Sequence, residues 1–215
     1  MKTIPKLIPA LVLVLLAVSC TGGTVTPSPT PTPPPTASPT PSSTVTFDFD
    51  SGSPPPSVGQ STPFDYTSGG VTARFSSLSD PAAFSVQNRE TTFLVLSQFS
   101  RNYLYQNNTY RTNLSILSSQ PLASIILTFA TIEYHGVGEA ELSTVKLTAY
   151  VDSTGTTAVG SATARGTLSG DTFPQGTLSF NSGGQPFKLV VIELVIQPRG
   201  ATGFLVDNVT VTTTS

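Results

Sequence analysis

The chain has no tryptophan, one cysteine, one histidine and one methionine in 215 residues, and only 10% of its residues are charged. A lone histidine, His135, excludes any metal centre built on two or more imidazoles and so most catalytic zinc designs. A lone cysteine, Cys20, leaves no partner for an intramolecular disulfide, so the fold is held by its core or by a metal, with an intermolecular bridge as the other use of the thiol. No G-x-S-x-G elbow supplies a nucleophilic serine. Ser143 to Lys146 spells S-x-x-K, but on a stretch with strand periodicity, whereas the β-lactamase motif opens a helix. No basic cluster exists, which excludes nucleic acid as a partner.

What is present begins with an address. Lys2 and Lys6 precede an apolar run from Leu7 to Val18, which closes on Ser19-Cys20, the layout of a secretory signal. As a helix that run reaches roughly 18 Å at 1.5 Å per residue, short of the roughly 30 Å of a bilayer core. Ala17-Val18-Ser19-Cys20 resembles the lipobox of bacterial lipoproteins, although Leu16 stands one place earlier than the leucine usual there. The resemblance implies cleavage before Cys20, a diacylglycerol on its thiol, and a chain anchored in the bacterial cell envelope outside the cytoplasm. Thr21 in place of an aspartate implies the outer membrane where there are two.

Residues 20–44 form the next segment, with Pro27, Pro29, Pro31, Pro33, Pro34, Pro35, Pro39 and Pro41 set among Thr, Ser, Val and Ala. Proline fixes φ and lacks the amide donor, so the segment favours polyproline II and can project the C-terminal domain by up to roughly 65 Å at about 3.1 Å per residue. Residues 45–215 are long enough for one domain with a substantial core. Without Lys2 and Lys6 the chain carries 8 basic and 12 acidic residues, a formal charge of −4.

The apolar period in that domain is two. Val145, Leu147, Ala149 and Val151 alternate with Lys146, Thr148 and Tyr150. Short apolar runs follow at Ser124 to Ala130, Phe187 to Ile196 and Phe204 to Val211, the middle one reading as a central strand. Turn chemistry separates them, as in Asp152-Ser153-Thr154-Gly155 and Asn181-Ser182-Gly183-Gly184. No amphipathic helix is visible. The pattern predicts an all-β fold, a two-sheet jelly-roll sandwich.

The opening Val45-Thr46-Phe47-Asp48-Phe49-Asp50, the hairpin Leu147-Thr148-Ala149-Tyr150-Val151-Asp152 and the closing Val206-Asp207-Asn208-Val209 resemble, in that order, the carbohydrate-binding-module-like and galactose-binding-like jelly rolls of bacterial surface proteins. Val151 stands between the Tyr and the Asp that this family usually joins. The resemblance implies first and last strands side by side and a structural calcium held by Asp48, Asp50 and Asp207. Alternation would place Asp48 and Asp50 on one strand face and the two phenylalanines on the other.

Phe99, Tyr103, Tyr105 and Tyr110 cluster with Arg101, Arg111 and several amides. Tyr103, Tyr105, Tyr110, Arg101 and Arg111 are thus candidates for a glycan platform, since rings stack on the apolar faces of sugars. Glu139 and Glu141 near His135 are the carboxylates a glycosidase reading would need, although they sit where a loop is expected. The sequence therefore favours a non-catalytic module for glycan or another surface ligand. Behind it stand a structural or adhesion lipoprotein with protein partners, and then a glycoside hydrolase.

The lipobox generates a direct test. We expect the intact mass of the membrane-extracted chain to start at Cys20 and to carry a diacylglycerol, and Cys20→Ser to abolish both. A mature chain with an unmodified Cys20 would reject the anchor.

Overall fold

The alternating Thr144–Tyr150 segment forms a strand with inward Val145, Leu147 and Ala149, and the rest of the domain repeats that construction. The computed structural model describes residues 42–107, 112–133, 138, 141–195 and 201–215. The lipobox, Cys20 and the proline-rich segment up to Pro41 lie outside the described residues. Eleven strands appear among those described: β1 (Thr44–Phe47), β2 (Phe64–Ser68), β3 (Val71–Ser76), β4 (Phe84–Asn88), β5 (Asn102–Gln106), β6 (Leu114–Thr131), β7 (Thr144–Tyr150), β8 (Ala158–Arg165), β9 (Gln175–Asn181), β10 (Phe187–Val195) and β11 (Phe204–Thr213). A single helical turn, α1 (Arg89–Thr92), follows β4.

Two antiparallel layers result, and β6 belongs to both. Its first part, Ser115 to Ser118, pairs with β3 and β10, giving the layer β2-β3-β6-β10-β7-β8. Its second part, Leu122 to Thr131, pairs with β11 and β9. Along the far edge of β11, β1 and β5 follow one another, and β4 lies beyond β5. Gln120 and the exposed Pro121 mark the corner, where proline's missing donor costs no ladder bond. First and last strands therefore do lie side by side, Thr44 opposite Thr212 and Phe47 opposite Val209. The expected all-β, two-sheet sandwich is the one that forms.

The core between the layers is aromatic at one end. Phe75 meets Phe47, Phe49 and Phe64 at ring-centroid distances of 5.9, 5.3 and 5.5 Å, and Tyr66 lies 5.2 Å from Phe47. Edge-on and offset rings of this kind add to what their burial alone contributes. The β2–β3 hairpin that carries three of these rings turns on Gly69 and Gly70, both at positive φ, as a two-residue type I′ turn requires. Asp152 organises the β7–β8 turn by accepting the amides of Thr154, Thr156 and Thr157 at 2.9, 3.2 and 3.0 Å. With the Thr154 hydroxyl the first of several donors, its carboxyl is held far below the usual range.

One strand expectation fails at its end. β1 stops at Phe47, and Phe49 takes a left-handed conformation, φ 58°. The cause is local: the Asp48 carboxylate accepts the amides of Asp50 and Ser51 at 3.1 and 2.9 Å, an Asx-type turn that ends the ladder. Both phenylalanines are buried, but Asp48 and Asp50 do not share a strand face.

Because Phe75 touches four rings from two segments, Phe75→Ala should cost about 3–5 kcal/mol in urea unfolding. A loss under about 1 kcal/mol would show that this end of the core collapses around the gap.

Candidate functional site

A gap in the β11 edge organises the region. β5 pairs with Leu205 and Val206, β1 with Val209 to Thr212, and between them the register shifts at Asp207-Asn208. Asn208 is left-handed there, φ 48°, the conformation a bulge of this kind asks for. The amides that arrive opposite, from Ser100, Arg101 and Asn102, have no strand to bond. Carboxylates take them: Ser100 N donates to Asp207 Oδ2 at 2.5 Å, Arg101 N to Asp50 Oδ2 at 3.0 Å and Asn102 N to Asp50 Oδ1 at 3.1 Å. Ser100 Oγ donates to Asn208 Oδ1 at 2.9 Å, and Asn102 Nδ2 to the Phe49 carbonyl at 3.2 Å. The knot thus ties the end of β1, the start of β5 and the middle of β11.

Asp207 is fully buried. Burial pushes its carboxyl up to about 7, with the Asp50 charge adding to the rise, while the N–H donors of Ser100 and Asn208 oppose it. Asp48 stands apart, bonded to Ser51 and to the Tyr66 hydroxyl at 2.9 Å. Desolvation alone would raise its carboxyl, but hydrogen bonds from Ser51, Tyr66 and Asp50 together hold it below the ordinary range. Calcium takes 6–8 oxygens around one point. Asp48 is committed to its own turn and the other two acids to backbone amides, and among the described residues no three such side chains come together to hold a metal.

Two members of the candidate aromatic platform, Tyr103 and Tyr105, pack in or against a second core. Tyr103 is fully buried and its hydroxyl meets Thr92 Oγ1 at 2.8 Å; Phe99 crosses it edge-on at 5.8 Å. Tyr105 is half-buried against the same cluster, which Leu96, Ala130 and Leu205 complete. The ring of Tyr103 is therefore not a stacking surface: segment 89–101 folds over the outer face of the β11 layer and needs something apolar beneath it. Arg101 is exposed and faces Glu90 at 3.4 Å. Tyr110 and Arg111 lie outside the described residues.

Where that segment ends, the same outer face is exposed at Thr44, Ile126 and Ser179 and half-exposed at Thr46 and Thr210. Thr44 and Thr212 face each other across β1 and β11 with hydroxyls 3.1 Å apart, and Thr46 and Thr210 with hydroxyls 2.8 Å apart. The rows continue over Ser124 and Ile126 of β6 to Asn181 and Ser179 of β9, and a further pair is Thr128 with Thr177. No ionisable side chain stands in the first two rows among the described residues; in the third, Thr128 is opposite the buried Asp207. Ile126, 46% exposed, is their one large apolar member. Sequence reasoning missed this face. Its trace is Thr-Val-Thr at 44–46 and again at 210–212, which become neighbours only once β1 pairs with β11.

The other layer presents a different exterior, with ion pairs Arg74–Asp65 at 3.2 Å and Lys146–Glu193 at 2.9 Å. A shallow depression of about 190 Å³ beside Arg74 is lined also by Thr72, Leu117 and Ser119. The S-x-x-K residues separate. Ser143 is buried, donating its amide to Glu133 at 2.8 Å and accepting Ala201 N at 2.8 Å, while Lys146 serves Glu193. Glu141 is exposed, and His135 and Glu139 lie outside the described residues.

No family model and no curated protein matches the chain. Among solved structures, the catalytic domain of a GH87 alpha-1,3-glucanase in complex with tetrasaccharides aligns at a TM-score of 0.31 and 10% identity, over 74% of this chain and 29% of that one. The chain thus spans under a third of that structure's length, and a likeness so loose carries no argument about activity.

Asp207 sets a pH dependence whose sign follows from its raised pKa. A carboxyl at 3.8 when unfolded and about 7 when folded favours the folded state fully below about 4 and loses that contribution as pH rises through 7. Urea midpoints should therefore fall between pH 5 and pH 8, and Asp207→Asn should flatten that slope whatever it does to the mean. An equal slope in the variant would exonerate Asp207.

Proposed function

We propose that this chain is a lipid-tethered, non-catalytic module that binds a neutral glycan across the bare outer face of its β11 layer. The observation that carries the reading is the uncharged hydroxyl array around Thr46 and Thr210, left open beside a segment locked down by Asp50 and Asp207. Each hydroxyl both donates and accepts, and each threonine adds a methyl, so the face offers polar and apolar contacts in alternation, as a sugar chain does. The absence of charge selects against uronates and phosphates. A net gain of about 1 kcal/mol per hydrogen bond makes single sugars weak ligands. A polymer spanning several rows gains by multivalency. Of the rings that would have stacked on sugars, Phe99 and Tyr103 are enclosed and Tyr105 is half-buried, which moves the site from the 98–111 segment to the face beside it.

Residues 42–215 retained on insoluble neutral polysaccharides, with Thr46→Lys/Thr210→Lys reducing retention at least tenfold at unchanged stability, is the expected result. Failure of the wild type on every neutral polysaccharide would remove the glycan reading. Full retention by the double variant would keep the reading and reject the face.

A further inference from the structure

The most exposed large apolar side chain among the described residues is Phe93, at 89%, and Val95 on the same loop is 59% exposed. Leu168, 44% exposed, stands on the β8–β9 loop, which is bonded to theirs: Thr172 N donates to the Val95 carbonyl and Val95 N to Thr172 Oγ1, both at 2.8 Å. Phe93 caps α1 in the left-handed region, φ 56°, a conformation that costs a bulky residue energy and that Gly or Asn would adopt freely. The loop has inward places for apolar side chains and uses them, with Leu96 and Phe99 both buried. It is also braced from below. Arg89 Nη1 donates to the Leu96 and Phe99 carbonyls at 3.1 and 3.0 Å, and Thr92 meets Tyr103. Phe93 and Val95 are therefore held outward on a fixed support.

Three considerations select the occupant. Three side chains fall far short of the roughly 20–30 residues a side of a standing protein–protein interface, whereas partition into hydrocarbon requires no matching shape. The ionic groups beside the tip are Glu90 and Arg101, which face each other, and Asp171, which Ser97 and Ser169 bond; among the described residues no cationic cluster accompanies them, so attraction to anionic headgroups contributes little. Finally, the described chain begins beside Thr213, to which Ser43 N donates at 3.0 Å, while the loop covers the Leu205 end of β11. That separation is roughly 25 Å at about 3.3 Å per residue, well within the roughly 65 Å reach of the segment leading back to Cys20. A tether of that length keeps a weak apolar contact at high effective concentration.

We propose that Phe93, Val95 and Leu168 form an insertion tip that seats the domain on the lipid bilayer holding its own anchor. The inference rests on the lipid-anchor reading for its tether and is independent of the glycan reading.

The chain has no tryptophan, so Phe93→Trp introduces a single fluorescent reporter, and Leu78→Trp, at a 66% exposed position on another loop, is its control. Both full-length variants are incorporated into phosphatidylcholine vesicles containing brominated acyl chains, and lipidation of Cys20 is read by intact mass. At least threefold stronger quenching for Phe93→Trp than for Leu78→Trp, with matching protection from aqueous iodide, is expected. Equal, weak quenching in a lipidated, vesicle-bound chain would overturn the tip and leave the anchor standing. Strong quenching without a lipid on Cys20 would keep the tip and overturn the anchor. Neither lipid nor quenching would remove both.

Discussion

The fold depends on a carboxylate placed where a strand ought to be. β11 is long enough for two short strands in succession along one edge, but β1 leaves before β5 arrives, and three amides reach a gap with no carbonyl ladder to meet them. Those of Ser100 and Asn102 are part-buried, and an N–H withdrawn from water without an acceptor costs more than an ordinary hydrogen bond returns. Asp207 and Asp50 supply the missing acceptors, and the left-handed Asn208 aims the first of them. These bonds set the course of segment 89–101, the second core under it, and the boundary between covered and bare outer face.

That boundary gives one sheet two exteriors. Near Ala130 and Leu205 the sheet is apolar and roofed; toward Thr44 and Thr212 it is polar and open. The roof in turn has a finished underside, with Leu96, Phe99 and the Arg89 fork, and an unfinished top at Phe93 and Val95. The proposed glycan face and the proposed membrane tip thus lie at one segment's two boundaries.

The sandwich was legible because alternation survives in β7 and because β11 and the 124–130 run are apolar at the inward places. The first part of β6 was not. Ser115 and Ser118 are buried there, so polar side chains sit where the pattern asks for apolar ones, and Pro121 reads as an end although the strand continues beyond it. Asp50 and Asp207 were singled out on a resemblance, for a metal; the backbone amides they accept were not legible, because strand alternation could not foresee the Asx-type turn at Asp48. The burial of Tyr103 was hidden for another reason. Tyrosines beside amides have the same composition whether they roof a core or line a cleft, and only the path of the chain decides. The hydroxyl face needed a register joining residues more than 160 positions apart.

That long pairing also governs how the chain acquires its structure. β1 has its ladder with β11 alone, and Ser43 and Thr213 bond across 170 residues. Closing so long a loop is entropically slow, and topologies rich in such contacts fold late. While the C-terminal strand is still being made, the N-terminal strand has no neighbour to pair with. β1 accordingly stays without its ladder until β11 has been made.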